Sequence, residues 1–202
     1  MSTFDFGFGP VPAHQHTNGG GWVADTARVD DSAYVGPDAR VSGNAQVWGD
    51  AQVWGDARVS GNARVSDNAW VWGDARVSGN AQVSGNARVS GNAQVSGNAW
   101  VSGNAQVSGN ARVSDNAWVS GNAQVSGNAK IAKPSDYLLI GPIGSRADFL
   151  TWTRSDNCIA TGCFRGTVKE FLAAVRETHG DNEYAKAYRA AVKFIRAMEK
   201  LA

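Results

Sequence analysis

The chain has 202 residues, with 19 Lys and Arg against 18 Asp and Glu, and a net charge of +1 at pH 7. This balance creates no overall field for nucleic acid or an anionic membrane, and no run of about 18 apolar residues predicts a membrane span. The start, Met1–Gly7, lacks the segments of a secretory signal, so we expect a soluble protein of the cytoplasm. Cys158 and Cys163 lie in an apparent strand and point to opposite faces, so neither a disulfide nor a metal pair is expected.

Residues 1–21 are rich in Gly and Pro and show no periodicity. They predict an arm folded over the start of the next region, with Phe4, Phe6 and Phe8 covering an open β edge. His14 and His16 could each bind a metal ion, but no third ligand lies nearby in the sequence, so no metal site is predicted.

Valine recurs every six residues from Val23 to Val125, and Ile131 closes nineteen hexads without an insertion. The commonest unit is Val-Ser-Gly-Asn-Ala followed by Gln or Arg. The β-branched Val suits an inward-facing strand position, and its two neighbours then face outward. Gly-Asn, Gly-Asp or Asp-Asn tolerates the positive φ of a tight corner, and Ala fits inside it. Glycine or asparagine every six residues excludes an α-helix.

Three such units per turn make an 18-residue coil, so about six coils stack roughly 4.8 Å apart. The pattern resembles the hexapeptide-repeat family, whose triangular β-helix is left-handed and commonly a homotrimer. The predicted fold class is therefore mainly β: a left-handed parallel β-helix over residues 22–133. The strict six-residue period counts against a right-handed solenoid of pentapeptide repeats.

The resemblance also covers enzymes, namely acyltransferases and γ-class carbonic anhydrases, which need histidine on or beside the coils. Residues 23–133 contain no His, no Cys and no insertion, so the general base and the metal ligands are absent. We predict no catalytic residue, no metal, no cofactor and no enzyme activity. Antifreeze proteins of the same fold carry flat faces of paired threonines. The corresponding positions here read Arg-Val-Ser or Gln-Val-Ser, which does not favour an antifreeze role.

An 18-residue coil sorts the outward side chains onto three faces. The first face carries a mostly cationic ladder that could follow an anionic polymer: Trp22, Arg40, Arg58, Arg76, Gln94, Arg112 and Lys130. Asp38, Asp56 and Asp74 on the adjoining corner offset this charge, which argues against nucleic acid.

Aromatic side chains mark the other two faces. The second face carries Trp48, Trp100 and Trp118, and the third carries Tyr34, Trp54, Trp70 and Trp72. Clustered apolar surface marks interfaces, where Trp is enriched. We expect the seam of a homotrimer, with a partner protein or a ligand stacked on the rings as the alternative.

Pro134 ends the repeats, and residues 134–202 predict a separate α+β module of three strands and two helices. The strands lie near 137–143, 148–154 and 158–165, with a hairpin turn at 155–157. Thr167 and Glu170 form a capping box for a helix that ends near Gly180. A second helix carries the stripe Tyr184, Tyr188, Ala191, Ile195 and Met198, which packs on the sheet or meets its copies at a trimer axis. Tyr184, Tyr188 and Ile195 are therefore interface candidates.

The glycine-containing segment 141–146 could bind phosphate, with arginines on neighbouring strands, although a plain turn is the alternative. The candidate residues for an anionic ligand are Ser145, Arg146, Arg154 and Arg165. Cys163 and His179 could form a nucleophile–base pair, but no third, orienting residue is evident, so no catalytic residue is predicted.

Both ends of the chain are similar to uncharacterised phage and prophage proteins. The similar runs are Pro12-Ala-His-Gln-His-Thr-Asn-Gly-Gly-Gly-Trp, Tyr137-Leu-Leu-Ile-Gly-Pro-Ile-Gly-Ser-Arg, Gly162-Cys-Phe-Arg-Gly-Thr and Glu177-Thr-His-Gly-Asp-Asn. One hypothesis is a non-enzymatic trimeric scaffold that presents its modules to a host protein, including one of host defence. The alternatives are binding of a small anionic ligand such as a nucleotide, and a tail- or fibre-like phage component.

Overall fold

A computed structural model describes residues 2–200 as a parallel β-solenoid of about six coils followed by a small α+β region. The predicted mainly β class is confirmed, and the left-handed coil stays a prediction. The N-terminal arm supplies β1 (Thr3–Asp5) and β2 (Pro10–Gln15). Nineteen short strands form the rod: β3 (Trp22–Ala24), β4 (Arg28–Val29), β5 (Tyr34–Val35), β6 (Arg40–Val41), β7 (Gln46–Val47), β8 (Gln52–Val53), β9 (Arg58–Val59), β10 (Arg64–Val65), β11 (Trp70–Val71), β12 (Arg76–Val77), β13 (Gln82–Val83), β14 (Arg88–Val89), β15 (Gln94–Val95), β16 (Trp100–Val101), β17 (Gln106–Val107), β18 (Arg112–Val113), β19 (Trp118–Val119), β20 (Gln124–Val125) and β21 (Lys130–Ile131).

Every third strand of the rod joins one sheet, so the three faces predicted from the hexads are the three sheets. The first face runs β3-β6-β9-β12-β15-β18-β21, the second β4-β7-β10-β13-β16-β19, and the third β5-β8-β11-β14-β17-β20. Cα partners are 18 residues apart and parallel, as in Arg58↔Arg76. Backbone bonds such as Gln82 N–H to Ala99 O (2.9 Å) join one coil to the next.

The interior of the rod consists of the hexad valines and alanines, which from Ala33 to Ala129 are almost fully buried. The corner glycines have φ near +65°, and Asp67 (φ 61°) and Asp115 (φ 55°) occupy two of these positions. An added Cβ on Gly79 would approach the backbone N and O of Gly97 to 3.0 Å. Glycine is therefore favoured both by the backbone conformation and by the short distance between coils.

Asparagine side chains form ladders along the corners. Asn62 donates to Asn80 at 3.1 Å, and Asn80 donates to Asn98 at 3.0 Å. A second corner carries Asn68, Asn86, Asn104 and Asn122, and a third pairs Asn110 with Asn128. Asn thus has a role between coils in addition to its fit to a corner.

The strands of the N-terminal arm extend the first face, and the arm also bonds to β5 of the third face: Val35 N–H donates to Asn18 O (3.0 Å), and Gly21 N–H donates to Val35 O (2.9 Å). β1 and β2 form an antiparallel hairpin, and β2 pairs with β3 on the first face. Phe6 is buried and Phe4 stacks on Trp22, with ring centroids 4.6 Å apart. The expectation for Phe8 is wrong: its side chain is 67% exposed, and within residues 2–200 its ring stacks only on Phe6, with centroids 6.2 Å apart. Phe8 lies in a loop that closes on Asp5, whose Oδ1 accepts from Gly7 N–H (2.7 Å) and Gly9 N–H (3.0 Å).

The C-terminal module contains four strands rather than the three predicted. Its elements are a 3₁₀ turn (Pro134–Asp136), β22 (Tyr137–Ile143), β23 (Asp148–Thr153), β24 (Cys158–Thr161), β25 (Phe164–Thr167), α1 (Val168–His179) and α2 (Glu183–Glu199). The predicted third strand is divided because Gly162 (φ 53°) and Cys163 make a tight hairpin between Thr161 and Phe164. The predicted capping box at Thr167 and Glu170 is confirmed.

The sheet of the module lies between its own helices and the last coil of the rod. Alternate residues such as Leu150, Trp152 and Ile159 form the core with α1 and α2. Tyr137 and Leu139 pack instead on the valine and alanine core of the rod. The two helices therefore pack on their own sheet, and the opposite side of that sheet contacts the rod through Tyr137 and Leu139.

Side chains of the module satisfy backbone groups at the end of the rod. Thr151 Oγ1 accepts from Gln124 N–H (2.8 Å), and Ser155 Oγ accepts from Lys130 N–H (2.7 Å). Arg165 Nη2 donates to Ser126 O at 3.2 Å. The module is thus a cap on the terminal coil, a requirement of solenoid folds. Across the range that the structure describes, no helix is long and apolar enough to cross a membrane.

Candidate binding surfaces of the rod and the module

The cationic ladder of the first face is in register. Arg40, Arg58 and Arg76 are direct Cα partners in successive coils. Arg40 lies over the Phe4 ring, with its guanidinium carbon 5.3 Å from the centroid. Within residues 2–200 the ion pairs are His14–Asp25, Arg165–Asp156 and Arg189–Asp181, so Asp38, Asp56 and Asp74 make no direct pair with the ladder. The attraction between these aspartates and the arginines of the ladder acts through solvent, where such attraction is weak and screened by salt.

The second face carries a stacked pair near the C-terminal end of the rod. Trp100 and Trp118 have ring centroids 5.3 Å apart and an interplanar angle of 9°. Their exposed fractions are 41% and 50%, although one face of each ring is occupied by its neighbour. A shallow depression beside Trp118 continues onto Pro134 and Leu138. We call Trp100 and Trp118 the distal tryptophan pair.

The third face carries a cluster in earlier coils, which we call the proximal tryptophan cluster: Trp54, Trp70 and Trp72. Trp54 stacks on Trp72 at 5.7 Å, and Trp70 meets Trp72 edge-on at 6.1 Å. Arg88 lies over the Trp70 ring, 5.1 Å from its centroid, which removes part of that ring from solvent.

Two aromatic residues of the predicted rod interface lie outside these clusters. Tyr34 lies beneath the arm, since a Cβ on Gly19 would approach its ring to 2.9 Å. Trp48 is exposed on the second face, in a coil distant from Trp100.

Two of the three interface candidates on α2 are occupied within the chain. Tyr188 and Ile195 belong to the core between α1, α2 and the sheet, and both are buried. Their surfaces are not free to meet copies at a trimer axis, because the helix uses this stripe to pack on its own sheet. Tyr184 is exposed and lies beside His179, with ring centroids 5.9 Å apart.

The four candidate residues for an anionic ligand do not form one cluster. Arg154 donates to Ser135 O and Met198 O and lies over Trp152, so it joins the start of the module to its last helix. Arg165 contacts the last coil of the rod and Asp156. Ser145 and Arg146 remain, and both line an open cleft in the module.

This cleft, which we call the cap cleft, has a volume of about 430 Å³ and lies between the turns of the sheet and the two helices. Its polar lining includes Ser145, Arg146, Asp148, Thr161, Cys163, Thr178, His179 and Tyr188, and its apolar lining includes Phe164, Phe171, Ala174 and Val175. A concave apolar site with a few convergent polar groups is the usual form of a small-molecule pocket. The sequence reasoning missed Thr161 and Phe171 here, and it assigned Tyr188 to an apolar stripe, although its hydroxyl was a polar end without an assigned partner.

Burial raises the pKa of the Tyr188 phenol, and the nearby Asp148 carboxylate raises it further while Arg146 opposes this effect. The phenol is therefore a protonated donor at neutral pH. Cys163 and His179 line the same cleft, but no hydrogen bond joins them within residues 2–200, and Cys163 is exposed. In the N-terminal arm, His14 pairs with Asp25 at 2.9 Å and His16 bonds to Ala33 O at 3.0 Å, so both have structural partners.

Comparison with known families supports the repeat architecture. Residues 51–66, 57–73, 81–97, 93–107 and 105–121 match the family model described as the YdcK beta solenoid repeat. The matches all lie within the rod and cover less than half of the chain. Curated proteins give no significant match. The matching repeats and the stacked coils together show that the chain is a β-solenoid repeat protein.

Proposed function

We propose that the protein is a non-enzymatic scaffold in which three copies of the rod associate through their second and third faces. The observation that carries this proposal is the placement of the distal tryptophan pair and the proximal tryptophan cluster on adjacent faces. Half-exposed indoles in clusters are typical of protein interfaces. The remaining face carries the arginine ladder and suits the outside of an assembly.

A three-fold arrangement of parallel rods uses two adjacent faces of each copy. The second face of one copy then lies against the third face of the next, at the same height along the rod. Trp100 and Trp118 would lie against the neighbour's β17 and β20, which present Gln106 and Gln124. The proximal cluster would lie against the neighbour's β7 and β10. Each indole group therefore contributes its own contact, and the two contributions should be separable by mutation.

The test is the molar mass of the full chain in solution, measured by light scattering during gel filtration. We expect three times the mass of one chain. Replacing Trp100 and Trp118 by Ser should lower the mass toward that of the monomer at low protein concentration. The matched control replaces Arg58 and Arg76 by Ser, at the same strand position on the first face, and should leave the trimer intact. A monomeric parent chain, or equal dissociation of both variants, would refute this seam.

The similarity of both ends to phage and prophage proteins supports a further part of this proposal. The scaffold would be phage-encoded, act in the host cytoplasm and present its cap modules to a host protein, including one of host defence. The alternative in the same setting is a tail- or fibre-like component of the particle. Mass spectrometry of purified particles distinguishes the two, since only a structural component is present there at a fixed copy number.

A further inference from the structure

The cap cleft contains polar side chains that are buried and have no partner in the chain. Thr161 and Tyr188 are only 9% and 8% exposed, and neither hydroxyl makes a hydrogen bond with another part of residues 2–200. Both hydroxyl oxygens open onto the cleft, since Gln46 Oε1 is the one fully buried side-chain oxygen or nitrogen without a partner in residues 2–200. These two groups are therefore free to donate to a ligand that accepts hydrogen bonds inside the cleft.

Gly144 leaves space beside the turn for the Tyr188 hydroxyl. Gly144 has a φ of 76°, and a Cβ there would overlap the Tyr188 oxygen. The absence of a side chain on Gly144 lets the phenol lie against the turn that carries Ser145 and Arg146. Tyr188, Ser145 and Arg146 consequently lie at the same end of the cleft.

Four polar side chains at this end can donate a hydrogen bond. Ser145, Thr161 and Tyr188 can each donate through a hydroxyl, and Arg146 donates through a charged guanidinium. Asp148 is the one carboxylate of the lining; its Oδ1 accepts from Phe149 N–H at 2.7 Å, and within residues 2–200 it makes no ion pair with Arg146. A donor-rich end with a guanidinium suits the oxygens of a carboxylate or a phosphate.

The remainder of the cleft is apolar. Phe164 and Phe171 pack against each other with ring centroids 5.3 Å apart, and Val175 of α1 continues this wall. His179, half-buried, lies next to Tyr188 with ring centroids 5.8 Å apart. Such a wall suits the flat face of a ring, whose burial removes apolar surface from water.

From these contacts we infer that the cap cleft binds a small molecule composed of an apolar ring and one anionic group. The ring lies on Phe164 and Phe171, and the anion meets Arg146, Ser145 and the hydroxyls of Thr161 and Tyr188. This inference is independent of the rod assembly, since every residue involved belongs to the C-terminal module.

The test is calorimetric titration of the full chain with four probes. Adenosine monophosphate and phenylacetate each combine a ring with an anion, whereas adenosine lacks the anion and inorganic phosphate lacks the ring. We expect one or both of the combined probes to bind, and the two single-feature probes to bind at least about tenfold more weakly. Binding of adenosine monophosphate alone would assign a phosphate ligand, and binding of phenylacetate alone a carboxylate. If neither combined probe binds at millimolar concentration, the inference is overturned.

Variants locate the binding. Tyr188→Phe removes one hydroxyl and keeps the ring, and Arg146→Gln removes one exposed charge. Each should raise the Kd of the tighter-binding probe by about tenfold. Arg196→Gln, on an exposed position of α2 outside the cleft, is the matched control and should bind like the parent. Parent-like binding by both Arg146→Gln and Tyr188→Phe would contradict the assignment. Because Arg146 is exposed, its variant is expected to fold even if Tyr188→Phe does not.

Discussion

The hydroxyl oxygen of Thr151 accepts a hydrogen bond from the backbone N–H of Gln124 at 2.8 Å. Thr151 belongs to β23 of the module and is buried, whereas Gln124 belongs to the last coil of the third face. Because no further coil follows, this N–H would otherwise remain without a partner. The Thr151 hydroxyl thus takes the place of the backbone carbonyl that the next coil supplies elsewhere in the rod.

Thr151→Val keeps the shape of the side chain and removes the acceptor. We expect the free energy of unfolding of the module to fall by about 1–3 kcal/mol, because a buried donor is left unsatisfied. Urea unfolding followed by the helical circular dichroism measures this change. Thr178→Val, the same replacement on an exposed position of α1, should have little effect. Equal stability of the two variants would show that Thr151 does not cap the coil.

The rod could be predicted from the sequence because each of its contacts repeats locally. Val, Ala and the corner residues recur at a fixed period, so one hexad predicts the environment of all the others. The asparagine ladders were missed because the hexad explains Asn by its fit to a corner, and the contact of Asn80 with Asn98 appears only when coils are stacked.

The role of the module could not be predicted in the same way. Its contacts with the rod join residues far apart in sequence, such as Arg165 with Ser126, and no periodicity reports them. For this reason the sequence presents Arg154 and Arg165 as ligand candidates, although their guanidinium groups bond to backbone carbonyls. The sequence predicts the apolar stripe on α2, of which Tyr188 and Ile195 are buried, but it leaves open which surface the stripe covers.

Asp67 and Asp115 provide a comparison between two corner positions. Both have a positive φ, which Gly adopts with less strain. Asp67 Oδ2 accepts from Gly85 N–H at 2.8 Å, whereas within residues 2–200 the carboxylate of Asp115 accepts only from the adjacent Ser114 hydroxyl. Asp115→Gly should therefore relieve strain without losing a bond between coils. Asp67→Gly loses that bond.

We expect Asp115→Gly to be more stable than Asp67→Gly by about 1 kcal/mol, the typical net value of one hydrogen bond. The difference between the variants cancels the added freedom of Gly in the unfolded chain. Chemical denaturation of the two proteins measures it. A result with Asp67→Gly the more stable would mean that the bond to Gly85 contributes nothing.

The asparagine ladder predicts a difference between two asparagines that occupy the same hexad position. Asn80 both accepts from Asn62 and donates to Asn98, while the side chain of Asn92 makes no hydrogen bond within residues 2–200. Asn80→Ala should reduce the free energy of unfolding of the rod by about 1 kcal/mol more than Asn92→Ala. Thermal denaturation, followed by the circular dichroism of the β structure, compares the two variants. Equal losses would indicate that the ladder bonds merely replace bonds to water.

The capping box of α1 makes the stability of the module depend on pH. Glu170 Oε2 accepts from the backbone N–H of Thr167 (2.7 Å) and from its hydroxyl (2.8 Å). These two bonds, the backbone one first, lower the pKa of Glu170 below its usual 4.5. A lowered pKa means that the ionised group stabilises the fold above pH 4.5 and that this contribution is lost as the pH falls through the lowered value.

Glu170→Gln should therefore lower the melting temperature of the module at neutral pH, and the difference from the parent should shrink toward zero as Glu170 becomes protonated in acid. Melting curves from neutral pH to below pH 4, followed by the helical circular dichroism, test this. Glu177→Gln is the control, because it removes a carboxylate from the last turn of the same helix, where the helix dipole does not favour negative charge. It should not lower the melting temperature at neutral pH. A constant difference between Glu170→Gln and the parent across the range would mean that the capping box acts through geometry alone and that its charge contributes nothing.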